Sequence, residues 1–255
     1  MKRLILNSLL LISQISYGQT AIEYFDRGLS KHDLKDYNGA IADYTKAIEL
    51  NPNLSDTYNN RGNAKYDLKY YNEAIADYSK AIELNPNYSE ACYNRGNAKY
   101  YLKDYNGAIA DFTKAIELNP NLSEAYNNRG NAKYYLKDYN GAIADYSKAI
   151  ELNPNYSEAC YNRGKLKYDL KDYNGAIADY TKAIELNPND SDAYFNRGTA
   201  KYFLKYYNEA IADYSKAIEL NPNDSDAYYN RGNAKYYLKY YNEAIADYSK
   251  AIELN

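Results

Sequence analysis

Tryptophan is absent from this chain of 255 residues, methionine and histidine occur once each, and cysteine occurs twice. His32 has no second histidine and no cysteine near it, so no metal site and no acid–base role is assigned to it. A P-loop, a Gly-rich phosphate cradle and a nucleophile elbow are also missing, and with them any named catalytic residue or cofactor. Asp190-Ser-Asp192 and Asp224-Ser-Asp226 begin like a calcium loop, but the glycine and closing glutamate of such a loop do not follow. Among 31 basic and 34 acidic residues there is no uncompensated basic run, which argues against a phosphate-neutralising surface for nucleic acid.

Proline is scarce too, and its few positions organise the chain. Pro52, Pro86, Pro120, Pro154, Pro188 and Pro222 each lie 34 residues from the next. An Arg-Gly pair recurs at the same spacing, at Gly28, Gly62, Gly96, Gly130, Gly164, Gly198 and Gly232. The repeat is therefore counted seven times, with units at 21–54, 55–88, 89–122, 123–156, 157–190, 191–224 and 225–255.

Residues 1–18 stand apart from these units. Lys2 and Arg3 precede a mostly apolar stretch from Leu4 to Ile15, and Ser16 and Gly18 supply small residues before Gln19. This is the pattern of a signal peptide cleaved after Gly18, leaving 19–255 as the repeat array. The stretch falls short of the roughly 20 apolar residues of a membrane span. The expectation is a chain secreted from a bacterium or kept in its periplasm or cell envelope, without a membrane span after cleavage. Cys92 and Cys160 occupy equivalent places two repeats apart. With stacked helices about 8–10 Å apart they would be separated by roughly 20 Å, beyond the ~7 Å reach of a disulfide. They read as small buried residues.

The unit 123–156 reads as two helices. Ala125, Tyr126, Arg129, Ala132, Lys133 and Leu136 recur at helical spacing, as do Tyr139, Ala142, Ile143, Tyr146, Ala149, Ile150 and Leu152. Pro154 ends the pair, Asn153 and Asn155 form the turn, and Ser157 is available to cap the following helix. A glycine inside a helix costs about 1 kcal/mol relative to alanine, so Gly130 implies close helix approach. One such pair cannot bury its apolar stripe alone, whereas stacked neighbours form a continuous core.

A large residue four before the glycine, then Gly, Ala, Tyr or Phe, Ala and Pro in order, resembles the tetratricopeptide repeat family over residues 21–255. The resemblance implies an all-α, right-handed superhelical solenoid of seven helix-turn-helix repeats. Two places depart from the family's pattern. Arg27, Arg61, Arg95, Arg129, Arg163, Arg197 and Arg231 stand where leucine is usual, and Lys31, Lys65, Lys99, Lys133, Lys167, Lys201 and Lys235 where tyrosine is usual. A charge on a half-buried stripe needs a partner. Asp43, Asp77, Asp111, Asp145, Asp179, Asp213 and Asp247, sixteen residues after each Arg, are predicted to supply it.

Variation among near-identical copies points to a face. Three before the glycine stand Phe25, Asn59, Tyr93, Asn127, Tyr161, Phe195 and Tyr229. One after it stand Leu29, Asn63, Asn97, Asn131, Lys165, Thr199 and Asn233, and five after it Asp33, Asp67, Tyr101, Tyr135, Asp169, Phe203 and Tyr237. These places are four apart and predict one solvent-facing stripe on the first helix. The family resemblance implies that this side lines a concave groove where ligands lie. Beside it runs a ladder of Asn60, Asn94, Asn128, Asn162, Asn196 and Asn230, whose amides can donate and accept to the backbone of an extended peptide. The ladder resembles that in the superhelical domain of O-linked N-acetylglucosamine transferase. The family's clamp for a C-terminal carboxylate has no basic residues here. Acids at Asp56, Glu90, Glu124, Glu158, Asp192 and Asp226 would instead suit a neutral or basic segment.

Three readings follow. The first is a protein-interaction scaffold holding an extended peptide or partner segment in the groove. The second is an extracellular carbohydrate-binding module, because Tyr66, Tyr100, Tyr134, Tyr168, Tyr202 and Tyr236 add rings near the amides. The third is a self-assembling structural repeat protein: no capping helix follows the last unit, so Tyr248, Ala251 and Ile252 would be partly exposed, pointing to end-to-end self-association or to a chain cut from something longer.

Overall fold

A computed structural model describes residues 20–255; the expected leader, residues 1–18, and the expected cleavage after Gly18 lie outside the described residues. Fourteen helices and no strand occupy the described chain. First helices of the repeats are α1 (20–33), α3 (Ser55–Asp67), α5 (Ser89–Tyr101), α7 (Ser123–Tyr135), α9 (Ser157–Asp169), α11 (Ser191–Phe203) and α13 (Ser225–Tyr237). Second helices are α2 (Tyr37–Leu50), α4 (Tyr71–Leu84), α6 (Tyr105–Leu118), α8 (Tyr139–Leu152), α10 (Tyr173–Leu186), α12 (Tyr207–Leu220) and α14 (Tyr241–Leu254). No described helix is long and apolar enough to cross a membrane. The chain divides into two compact units at Ala132, inside α7.

Both units use the same packing. In the first, Ala40 and Tyr44 of α2 meet Ala64 of α3, so a second helix is held against the first helix of the next repeat. Ala210, Tyr214 and Ala234 repeat this in the second unit. A fully buried ring of this size contributes about 1.5–3 kcal/mol. The arginine-linked glycines make room for these rings. A methyl group at Gly62 would stand 2.6 Å from Tyr78 Cε1, and one at Gly96 2.8 Å from Phe112 Cε1. Close approach is thus what these positions require.

Each first helix ends in a turn that the sequence reading did not identify. Lys69 has φ 63°, its N–H bonds the Tyr66 carbonyl, and the Tyr70 N–H returns to the Lys65 carbonyl. This is the left-handed end of a helix that usually carries glycine. Here lysine takes it in all seven repeats, Lys35 to Lys239. The helix stops before the leucine that follows the stripe, which leaves Leu102 and Leu136 exposed rather than packed.

Capping also differs from expectation. Ser157 is the first residue of α9, not its cap, and its hydroxyl donates to the Ala183 carbonyl of α10; Ser89 does the same to Ala115. Asp190 and Asp224 are the caps, accepting from the Ala193 and Ala227 N–H groups. The acidic Asp-Ser-Asp triplets thus begin helices. Cys92 and Cys160 are free and buried, as expected.

The predicted Arg–Asp pairs are present in both units. Arg95 donates Nε to Asp111 Oδ2 at 2.9 Å and Nη2 to Oδ1 at 2.6 Å, and Arg163 binds Asp179 with the same two distances. The unusual lysine joins them: Lys99 Nζ lies 2.8 Å from Asp111 Oδ2. Arg95 also donates Nη1 to Ser79 of the preceding repeat at 3.1 Å, and from the second repeat onward each arginine makes such a bond to the repeat before it.

Candidate functional site

The three variable places are not one solvent-facing stripe. Three before the glycine, Asn59 and Asn127 are buried, and Phe25, Tyr93, Tyr161 and Phe195 are half-buried. The Tyr93 ring leans on Phe112, with centroids 5.9 Å apart, and Tyr161 leans on Tyr180 at 5.7 Å. Tyr229 alone of this set is exposed. A helix three or four residues per turn carries this position round towards its own second helix, which spacing along one strip of sequence does not reveal.

Five after the glycine, the rings of Tyr101, Phe203 and Tyr237 pair with the preceding repeat. Tyr101 stacks on Tyr71 with centroids 5.3 Å apart and planes 9° apart, and Tyr237 stacks on Tyr207 at 5.1 Å and 7°. Tyr101, Tyr135 and Tyr237 remain exposed beside these contacts. Where the place is acidic, it faces a polar partner instead. The Tyr134 hydroxyl donates to Asp169 at 2.6 Å, and Asp67 Oδ2 lies 2.9 Å from His32 Nε2, without the alignment of a hydrogen bond.

One after the glycine, the amide serves a buried hydroxyl. Tyr78 Oη donates to Asn63 Oδ1 at 2.9 Å and Tyr248 Oη to Asn233 Oδ1 at 3.0 Å, while Thr199 accepts from Tyr214 at 3.3 Å. Where Leu29 or Lys165 stands there, no acceptor exists, and the Tyr44 and Tyr180 hydroxyls are buried without a partner. In the third repeat the ring against Gly96 is Phe112, which has no hydroxyl, and Asn97 accepts from Asn128 instead. Asn131 is half-buried in the same register.

The ladder asparagines Asn60, Asn94, Asn128, Asn162, Asn196 and Asn230 are all half-buried. In the first unit Asn94 and Asn128 bridge repeats. Asn94 Nδ2 donates to Asn59 Oδ1 at 3.2 Å and to Asn63 Oδ1 at 3.1 Å, and Asn128 Nδ2 to Tyr93 Oη at 3.1 Å and Asn97 Oδ1 at 2.9 Å. In the second unit Asn196 Nδ2 reaches Tyr161 Oη at 2.9 Å. Asn60 and Asn230 turn their Nδ2 groups back to the carbonyls of Asp56 and Asp226 in their own helices.

Two recesses in the first unit flank Asn94. One, of about 280 Å³, is lined by His32, Asn63, Tyr66, Asp67, Tyr78, Glu90, Asn94 and Asn97. The other, of about 440 Å³, is lined by Tyr93, Asn94, Glu90 and Glu124 with Ser89, Asn119 and Leu122. Sequence reasoning named most of these residues but missed His32 and the meeting of His32 with Asp67. The signal was available: the residue four after one glycine faces the residue five after the next. Burial, and then the neighbouring Tyr101, push the Tyr66 hydroxyl well above the usual tyrosine range, so it stays neutral.

Several solved structures are similar to this chain. One is that of MamA, with 28% identity and a TM-score of 0.60 over 62% of this chain and 93% of that one. Another is YrrB, described as a tetratricopeptide repeat protein with an unusual peptide-binding site, with 27% identity and a TM-score of 0.61 over 72% and 95%. A tetratricopeptide repeat protein of Parabacteroides merdae shares the fold at 22% identity, TM-score 0.70, over 93% and 94%. No curated protein matches the chain. Tetratricopeptide repeat models match residues 55–88, 89–122, 123–156 and 225–255, and a further TPR repeat model matches 28–69, 164–205 and 202–239. With its stacked helix pairs and ring-accommodating glycines, the chain belongs to the tetratricopeptide repeat family.

Proposed function

We propose that the chain is a protein-interaction scaffold that binds an extended peptide segment along its first helices and catalyses no reaction. The observation that carries this reading is the pair of recesses on either side of Asn94, walled by amides, carboxylates and tyrosine rings. Such a wall offers hydrogen bonds to a peptide backbone and pockets to its alternate side chains. The peptide-binding site in the description of YrrB supports it by analogy. Binding of the chain to a peptide array, with affinity reduced at least tenfold when Asn94 and Asn128 are both replaced by alanine in a variant of unchanged helicity, is the expected result. Binding to a glycan array but to no peptide would overturn it in favour of carbohydrate recognition, which the exposed rings of Tyr101 and Tyr237 favour.

The leader pattern of Lys2, Arg3 and Leu4 to Ile15 supports an envelope or extracellular place for this scaffold. N-terminal sequencing of the mature chain should then begin at Gln19; a chain retaining Met1 in the cytoplasm would refute it.

A further inference from the structure

Two carboxylates that line the smaller recess have no basic side chain paired with them unless His32 is protonated. Asp67 touches only His32 by ion-pair distance, and Glu90 Oε1 accepts from the Asn59 amide at 3.1 Å. Framework acids nearby are otherwise served: Asp77 by Arg61 and Lys65, Glu83 by Lys80. None of the eight residues lining the recess is lysine or arginine.

The fifth repeat has a different occupant in the equivalent place. Counted from the glycine, Lys165 replaces Asn63 and Asp169 replaces Asp67, while Tyr134 stands where His32 does. Lys165 Nζ lies 5.6 Å from the centroid of the Tyr134 ring, and the hydroxyl of that ring donates to Asp169 at 2.6 Å. A lysine of the chain itself thus sits over a ring beside a carboxylate, at the place that in the second repeat is bounded by His32 and Asp67 and where the shorter Asn63 stands. The exchange has a visible cost: the Tyr180 hydroxyl loses the acceptor that Tyr78 has in Asn63.

We infer that the recess bounded by His32, Tyr66, Asp67 and Glu90 takes the cationic side chain of a lysine or arginine from a bound partner segment, a specificity that rests on reading this face as a peptide site. Two carboxylates in a recess attract a cation more strongly than the same charges in open water, and the Tyr66 ring adds a favourable face for it. Asn94, with both amide hydrogens directed at Asn59 and Asn63, has its carbonyl oxygen left for a donor. An acidic side chain would meet the same two carboxylates as repulsion.

The probe is Nα-acetyl-lysine N-methylamide, compared with the uncharged norleucine analogue, by amide chemical-shift mapping on the folded chain. The lysine probe should shift Asp67, Glu90 and Asn94, and the norleucine probe should leave them in place. Asn63→Lys, which supplies an internal occupant as in the fifth repeat, and Asp67→Asn, which keeps the shape, should each abolish the shifts while the spectrum stays that of the folded chain. Equal shifts from both probes, or shifts that survive in both variants, would overturn the inference. Peptides that bind the scaffold without a basic residue and without loss in Asp67→Asn would overturn it too, leaving the peptide-scaffold reading intact. A lysine response without any peptide binding would support the cation site and count against the scaffold.

Discussion

Arg61 holds Asp77 by two prongs, Nε to Oδ2 at 2.9 Å and Nη2 to Oδ1 at 2.6 Å, and reaches with Nη1 to Thr45 of the preceding repeat at 3.1 Å. Asp77 is 4% exposed. Replacing Arg61 with methionine keeps the packing of the stem but leaves the carboxylate with Lys65 alone. The expected loss is about 3 kcal/mol, because a buried charge that loses its main partner remains desolvated. Repeat arrays unfold in parts, so the loss should be read by hydrogen exchange in α3 and α4 rather than from one global transition.

The corresponding pairs of the first and last repeats, Arg27–Asp43 and Arg231–Asp247, set an acid limit. Hydrogen bonding from Arg27, reinforced by Lys31 against the opposing effect of burial, lowers the Asp43 carboxyl from 3.8 to about 2. At Asp247 burial acts upward, and the bonds from Arg231 and Lys235 more than reverse it. A carboxyl depressed in the folded state stabilises above its unfolded value, and that contribution disappears as pH falls through the folded value. Helical circular dichroism followed by acid titration should therefore hold steady above pH 4 or so and weaken from 3.8 towards about 2. A loss beginning near neutrality would show that these pairs do not govern acid unfolding.

The buried tyrosine hydroxyls make a double-mutant test. Asn63→Leu removes the acceptor of Tyr78 and should cost about 1–3 kcal/mol, the penalty of an unsatisfied buried donor. Adding Tyr78→Phe removes that donor, as in the third repeat where Phe112 occupies the place, and should recover a large part of the loss. Denaturant titration of the two single variants and the double variant measures the coupling.

Lysine in the left-handed conformation is a strained choice. Lys103 has φ 63°, a region costing L-residues about 1–2 kcal/mol. Lys103→Gly should stabilise the end of α5 by about 1 kcal/mol after the added freedom of the unfolded glycine is subtracted. Slower hydrogen exchange at the Lys103 and Asp104 amides would show it, since these donate to the Tyr100 and Lys99 carbonyls.

The glycines differ measurably in how closely a ring approaches. An added methyl would lie 2.6 Å from Tyr78 at Gly62 but 3.1 Å from Tyr214 at Gly198. Ala at Gly62 should therefore destabilise its unit more than Ala at Gly198, by melting of each variant, with overpacking costs of about 1–3 kcal/mol.

The 34-residue spacing of proline and Arg-Gly made the helix pairs legible, and the charge pattern made the Arg–Asp pair legible, because both depend on residues within one repeat. The helix-ending lysines are not legible in the sequence, since lysine carries no local signal for the left-handed region that glycine normally marks. The candidate groove was read only in part. Its amide ladder lies near the first-helix recesses, yet the hydrogen bonds of Asn94 to Asn59 and Asn63 and the stacking of Tyr101 on Tyr71 join different repeats.

By itself the sequence determined an all-helical array of repeats, because period, glycine and proline act through local backbone geometry and through packing that every copy repeats. Tertiary structure alone decided which variable side chains are turned inward, which stack on a neighbouring repeat, and which are left around a recess. Those outcomes depend on side chains about 31–35 residues apart meeting in space, as Asn94 meets Asn59 and Asn63. His32, Asp67 and Glu90 come together for that reason and for no reason visible in any single repeat.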